Sequence, residues 1–420
     1  MSQHLPRRSF LSQIAATSLL AGAASAVPFE PPADSDAAVF AAARREFLFP
    51  ASIAYCQTGT LGASPREVVS ALVEGIQNLE RDLPEWGYLQ SDGEPLTGYQ
   101  QLTDFRAEAG AFLNAPATEI AFTQNATMGM SFLANGLDLT AGDEVVSTDQ
   151  EHPGGIGGWK LLAKRRGVVV KELPLLPALK DGPEGVLKLF DSAITRRTRV
   201  VMFSQITSSL GIRLPARELC ALAKQRGALA IVDGAQAVGQ MRVDVKALGC
   251  DAYVTSPHKW LLAPKGTGIL YIRADLQPRV WNTLASSHLD QDDTGAFRFM
   301  QYGTGSVPVV HGLRAALRFI NGLGIDRIER WDTMLTKRLR DGLAKIPKIR
   351  FSSPDDPRFA AAITTFAVQG RTGRELQDAL WAKKIRVRAQ GGERGVRLSA
   401  HLYVSPEDID RILEVTASLA

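Results

Sequence analysis

Residues 228–273 read ALAIVDGAQAVGQMRVDVKALGCDAYVTSPHKWLLAPKGTGILYIR. Three apolar runs punctuate this stretch: ALAIVD (228–233), DAYVTS (251–256) and GILYIR (268–273). Each is short and shows almost no polar alternation, the pattern of a strand covered on both faces. The same rhythm extends upstream. EIAFT (119–123), EVVST (144–148), VVVKELPL (168–175) and RVVMFSQI (199–206) predict strands, with helical patterns at 128–137, 156–166, 184–194 and 217–226. Pro215 stands just ahead of the last of these helices, where a missing N–H costs nothing. Regular alternation of strand and helix predicts an α/β domain with a mostly parallel seven-stranded sheet covered by helices.

Downstream the pattern changes. Residues 275–306 show little periodicity and hold Trp281, His288, Asp290, Asp292, Asp293 and Phe297. A segment of that length is expected to serve as a functional loop, here one that shapes a substrate entrance, or to be disordered. Residues 309–345 read as helical. Strand (361–368), helix (373–383), strands (385–389 and 395–399) and helix (406–418) follow, an α+β pattern. The expected organisation is an export segment (1–26), an N-terminal arm (27–60), a large domain (61–330) and a small C-terminal domain (331–420). The arm opens on VPFEPPADSDA (27–37), which reads as exposed chain.

The quoted stretch also carries chemistry. Lys259 lies just past an apolar strand, at the carboxyl edge where open α/β sheets bind ligands. An amine in a desolvated, cationic setting loses its proton more easily and can condense with a carbonyl. Ser256 and His258 flank it and can hydrogen-bond a phosphate. Asp233 ends another apolar strand, and a buried carboxylate there needs a cationic partner. A protonated pyridine nitrogen would serve, and it would strengthen an electron sink for carbanion chemistry. Gln236 could donate to a phenolate oxygen of the same ring. Singly, these are also ordinary turn and surface residues; the ordered set is what is specific.

DGAQAVGQ (233–240) and SPHKW (256–260) together resemble the class V aminotransferase family of fold-type I pyridoxal 5′-phosphate (PLP) enzymes. Within it the chain is most similar to the isopenicillin N epimerase-like and cysteine desulfurase-like branch, from about Tyr55 to Leu419. The resemblance implies that Lys259 holds PLP covalently, that Asp233 pairs with the pyridine nitrogen, and that Gln236 contacts the phenolate oxygen. Ser256 and His258 would bind phosphate. Asn125, Ala126 and Thr127 follow strand 119–123 and open a helix, whose N-terminal N–H groups and Thr127 hydroxyl also suit a phosphate; an N-cap role accounts for them equally. His152, in QEHPG (150–154), would stack on the ring. Ser208 would lie on the phenolate side, where many relatives carry Asn. Gly303 and Thr304 would reach the phosphate of a neighbouring subunit, which implies a homodimer with shared active sites. A substrate carboxylate needs a guanidinium fork. Arg388 is the favoured candidate and Arg397 the other, an ion-pair role being open for the latter.

The resemblance implies an aminotransferase acting on an amino acid or a peptidic amine, as in siderophore tailoring. Epimerase, lyase or decarboxylase outcomes begin from the same bound substrate, and a non-catalytic PLP- or peptide-binding protein is the remaining contender. The desulfurase route needs a nucleophilic cysteine in the small domain. The three cysteines here are Cys56, Cys220 and Cys250, none beyond residue 300.

The first 26 residues read as an address. Arg7-Arg8-Ser9-Phe10-Leu11 resembles the twin-arginine export signal, an apolar stretch runs from about Ile14 to Ala23, and Ala24-Ser25-Ala26 fits signal peptidase. The apolar stretch is too short for a stable membrane anchor. The expected partner is the export machinery, the expected location the periplasm, and the mature chain begins near Val27. Export of a folded, PLP-loaded protein would suit this signal.

Composition narrows the rest. Hydrophobic residues make up 45% and charged residues 22%, which excludes a disordered chain and a multi-span membrane protein. Forty-eight basic against 44 acidic residues give no support for nucleic-acid binding. The six histidines show no HExxH spacing, and no metal site is expected. PKGTG (264–268) and GGIGG (154–158) match neither the P-loop nor the dinucleotide fingerprint.

Overall fold

The computed structural model describes residues 28–32, 35–85, 101–285 and 295–420. The expectations for the export segment, and for His288, Asp290, Asp292 and Asp293, lie outside these residues. Near the N-terminus a short strand, β1 (Ala54–Tyr55), precedes the main sheet. The main sheet contains β2 (Ile120–Thr123), β3 (Glu144–Thr148), β4 (Val169–Leu173), β5 (Thr198–Ser204), β6 (Leu229–Asp233), β7 (Ala252–Thr255) and β8 (Gly268–Ile272). Their order is β2-β8-β7-β6-β5-β3-β4. The contacts among β7, β6, β5, β3 and β4 are parallel. β8 alone runs antiparallel, against both β7 and β2.

That one reversal positions the site. A parallel neighbour requires a crossover to the far edge, whereas an antiparallel one can return at the same edge. The chain therefore leaves β7 and re-enters β8 without crossing the sheet, and residues 256–267 stay at the carboxyl edge. Asp233 ends β6, Ser204 ends β5, Thr148 ends β3 and Thr123 ends β2, all at that edge. β6, β7 and β8 are buried almost throughout, as their apolar sequences predict. The edge strand β4 departs from that expectation, with Val169 exposed.

Helices Ala126–Gly136, Pro153–Arg166, Gly182–Ala193 and Ala216–Gln225 connect the strands. The stretch expected to be helical over 309–345 is two helices, Val307–Leu323 and Ile325–Leu343. Gly324 separates them at φ +85°, a value that ends an α-helix and suits glycine. The Pro-rich arm is not wholly extended: Ser35 caps a helix, Asp36–Arg44, that buries Val39, Phe40 and Ala43. Phe40 stacks on Trp331 with centroids 4.6 Å apart.

The C-terminal region adds β9 (Ile349–Phe351), β10 (Ile363–Val368), β11 (Ile385–Arg386), β12 (Arg388–Ala389) and β13 (Val396–Ser399). A four-stranded antiparallel sheet has the order β12-β13-β10-β9. The expected single strand 385–389 is divided, because β11 pairs with β1 while β12 pairs with β13. The N-terminal segment is thereby stitched to the C-terminal region, and Arg44 adds an ion pair to Asp408.

Close packing at the end of β6 is testable. A Cβ on Gly234 would lie 2.0 Å from the Tyr253 ring. Gly234→Ala is expected to destabilise the protein by about 1–3 kcal/mol. Equilibrium urea unfolding measures it, and an unchanged midpoint would contradict the packing of β6 on β7.

Candidate active site

A cavity of about 260 Å³ opens at the carboxyl edge of the sheet. Its walls include Asn125, Ala126, Thr127, His152, Ser208, Asp233, Gln236, Ser256, His258, Lys259, Arg388 and Arg397. The sequence spreads these twelve residues over more than 270 positions, and the fold brings them to one place. Gly303 and Thr304 do not line the cavity of their own chain.

Each side chain is placed by a local device. His152 is the N-cap of helix Pro153–Arg166, and its Nδ1 accepts the Gly154 N–H at 3.0 Å. The ring proton therefore sits on Nε2. Burial, then the Lys259 charge, holds this imidazole below its usual pKa and uncharged at neutral pH. Asn125 caps helix Ala126–Gly136 through Met128 N–H at 2.9 Å, so its capping role is realised. The Ala126 N–H donates to Ser256 Oγ at 3.0 Å. His258 Nδ1 lies 3.1 Å from the Thr267 carbonyl, which can only accept, so this nitrogen carries a proton. Gln236 accepts from Trp260 Nε1 at 2.7 Å and donates to the Gly59 carbonyl at 2.9 Å. One of its amide N–H bonds remains for a ligand.

Asp233 is buried, and its Oδ1 accepts the Ala235 N–H at 2.9 Å. It has no ion-pair partner among the described residues. A Cβ on Gly155 would stand 2.9 Å from Oδ2, so glycine there leaves the carboxylate accessible. Burial pushes the Lys259 amine down to about 8; Asp233 opposes the shift, and Arg397 and Arg388 add to it. Arg397 is 3% exposed and donates to the Ser208 carbonyl at 2.7 Å and to Thr60 Oγ1 at 2.5 Å. No carboxylate pairs with it among the described residues, and its Nε has no partner. The ion-pair reading of Arg397 is thus replaced by a guanidinium held by neutral acceptors. Arg388 is exposed, and its Nη1 lies 3.3 Å from the same Thr60 hydroxyl.

Sequence reasoning missed Gly59, Thr60, Gly154, Ser204, Ile206 and Ala235, which also line the cavity. Gly59 and Thr60 arrive only because β1 pairs with β11. A further omission is Glu151, whose carboxyl oxygens accept from Thr148 Oγ1 at 2.7 Å and Ser204 Oγ at 2.6 Å. Burial raises this carboxyl to about 7. Glu151 adjoins His152 in the chain, but no local sequence signal distinguishes it. The expected entrance residues are elsewhere. Phe297 is buried with the Arg106 guanidinium 5.6 Å from its ring, and Trp281 is exposed and donates to Asp138.

Residues 95–412 match the model of the family described as Aminotransferase class-V. The chain belongs to that family. It is 32% identical over 343 residues to a cysteine desulfurase of Enterobacter sp. (strain 638), covering 75% of this chain and 81% of that protein. It is 34% identical over 268 residues to a cysteine desulfurase of Salmonella typhimurium, covering 61% of this chain and 64% of that protein. Among solved structures, the apo cysteine desulfurase of Thermococcus onnurineus NA1 superposes with a TM-score of 0.76 at 25% identity, covering 90% and 97% of the two chains.

This class V protein is a PLP-dependent enzyme of fold type I, and the cavity fits that cofactor. Lys259 offers an amine of lowered pKa, Asp233 an unpaired buried carboxylate, and Gln236 a spare N–H. Ser256, Thr127 and His258 supply polar groups at the helix N-terminus, where the dipole favours an anion. No cysteine lines the cavity. Cys56, Cys220 and Cys250 are buried away from the cavity, and burial raises all three thiols.

The rate at which borohydride fixes added PLP to Lys259 is expected to rise with pH around a midpoint near 8, not near the ordinary lysine value. Asp233→Asn removes an anion and moves that midpoint down. Arg397→Gln removes a cation and moves it up. Mass spectrometry of the reduced protein measures the rate, and a midpoint above 10 would contradict the buried amine.

Proposed function

We propose that this enzyme eliminates a β-substituent, such as a thiol, from an α-amino acid. The observation that carries this reading is the absence of any thiol at a cavity otherwise equipped for amino-acid chemistry. Its relatives named cysteine desulfurases share the scaffold and suggest cleavage of a carbon–sulfur bond. In the reaction proposed, the sulfur leaves with its own substituent. The overall change is amino acid plus water to a 2-keto acid, ammonia and the released thiol.

PLP, when bound, supplies the electron-accepting ring that stabilises negative charge at the α-carbon. The chain supplies the rest. Arg397, held by Ser208 and Thr60, lines the cavity and can bind the substrate carboxylate, with Arg388 beside it. Lys259, uncharged in a larger fraction of molecules than an ordinary lysine, takes the α-proton. His152 lines the cavity, and its Nε2–H can hydrogen-bond the departing group. Asp233, buried and without an ion-pair partner among the described residues, would hold the ring nitrogen.

Amino transfer is the second reading, favoured by the family's own chemistry, and epimerisation the third. One experiment separates them. Purified enzyme is incubated with S-substituted cysteines and a panel of other amino acids, without a keto-acid acceptor. Elimination produces many equivalents of keto acid and ammonia per site. Amino transfer stops at one equivalent, and epimerisation returns the enantiomer with no keto acid. A single equivalent would overturn elimination.

We also infer that the protein is exported folded by the twin-arginine route and works as a homodimer. Arg7 and Arg8 support the first. The second draws support from Val73, Ile76 and Leu83, apolar side chains left exposed on and just after helix Arg66–Asp82, and from Gly303 and Thr304 lying outside the cavity. Replacing Arg7 and Arg8 by lysine is expected to retain the protein in the cytosol. Fractionation tests this, and unchanged periplasmic recovery would reject the route.

A further inference from the structure

Lys259 sits in a loop whose geometry leaves little freedom. Leu262 adopts φ +61°, a Cβ on Gly62 would meet the Lys259 carbonyl at 1.8 Å, and one on Gly239 would meet Trp260 at 2.4 Å. One carbonyl of this loop, that of Trp260, is held from outside. His401 Nε2 lies 2.8 Å from it, and His401 Nδ1 lies 2.7 Å from Asp332 Oδ2. All three residues are completely or almost completely buried. The Trp260 indole also packs edge-on against the His401 ring, with centroids 5.0 Å apart.

The proton count is forced. A carbonyl only accepts, so His401 Nε2 must carry hydrogen. Between Nδ1 and Oδ2 a single proton remains, on one atom or the other, and the pair is neutral as a whole. Removing that proton would leave an uncompensated buried anion, which is costly. Asp332 Oδ1 has no partner among the described residues, so His401 is what holds this carboxyl. Glu329, whose charge acts on Asp332, is paired with Arg213 at 3.5 Å.

His401 belongs to a run in which every second side chain grips the cofactor side of the molecule. Arg397 reaches Ser208 and Thr60, Ser399 accepts from the Gly59 N–H, His401 reaches Trp260, and the Tyr403 hydroxyl meets Thr58. The residue after the cofactor lysine is thus tied through one imidazole to helix Ile325–Leu343.

We propose that His401 and Asp332 are positioning residues for Lys259: His401 holds the Trp260 carbonyl, and Asp332 holds His401 in the orientation that donates to it. The inference rests on Lys259 as the PLP-binding amine and not on the identity of the substrate.

Two amides divide the ring. Glutamine at 401 places its amide near the Nε2 position and can keep the bond to Trp260; asparagine places it near Nδ1 and can keep only the bond to Asp332. The test uses the full mature enzyme, stripped of cofactor and reloaded with pyridoxal phosphate. The rate of capture on Lys259 is followed by visible absorbance and by borohydride-fixed mass. His401→Gln is expected to capture within about threefold of the parent rate. His401→Asn is expected to be slower by about tenfold or more. Thermal melting of both apoproteins accompanies the rates, because each loses one buried hydrogen bond. Equal rates for the two variants, or rates that follow only their melting temperatures, would overturn the proposal. Should neither variant fold, Asp332→Asn decides. Its amide can donate to Nδ1 and keep hydrogen on Nε2, so capture within about threefold is expected. A tenfold loss there would show that the Asp332 charge, not the orientation of His401, is what matters.

Discussion

Everything at the active site depends on β8 running antiparallel beside β7. Five strands are joined by parallel pairing and send their carboxyl ends to one edge. β8 then returns at that edge without a crossover, so the loop 256–267 cannot leave it. The lysine is delivered to the strand ends that carry Asp233 and Ser204 as a consequence of sheet topology, before any side-chain contact forms. The remaining elements hold this loop still: Gly62 and Gly239 by close approach, and His401 through the Trp260 carbonyl.

The electrostatics follow from burial. The cavity contains one lysine, two arginines and one carboxylate, with no ion pair within reach of Arg397 or Asp233 among the described residues. A folded chain tolerates such groups when neutral acceptors hold them, as Ser208 and Thr60 hold Arg397. The unmatched groups are complementary to what a PLP enzyme of this family would need: Asp233 would suit a cationic ring nitrogen, Arg397 a carboxylate and Lys259 a carbonyl. Beneath them Glu151, with a carboxyl raised to about 7, keeps a second full negative charge away from Asp233 at neutral pH.

Much of this was legible in the chain itself, for a local reason. Asp233, Gln236, Ser256, His258 and Lys259 each lie at a strand end or in the loop directly after it, so a correct strand assignment places them all. Asn125 and His152 are helix caps, also a local property. Thr60 was not legible, because it reaches Arg397 only after β1 pairs with a strand some 330 positions away. The division of 385–389 into β11 and β12 had the same origin: two sheets compete for one extended segment, and apolar patterning does not say where the chain changes partner. Trp281 and Phe297 were assigned to an entrance from their side-chain type, and side-chain type does not report which way an irregular segment folds.

The sequence by itself determined the alternating strands and helices, the family and with it the cofactor, and it marked Lys259 as the candidate amine. These are encoded in contiguous residues, where periodicity and motif order act within a few positions. Only the tertiary structure decided that Arg397 stands without a carboxylate among the described residues, that every cysteine is shut away from the cavity, and that His401 bridges Asp332 to the Trp260 carbonyl. Those facts depend on groups that meet across 69 to more than 300 residues. Burial, which sets their charge and reactivity, exists only once the chain has closed around them.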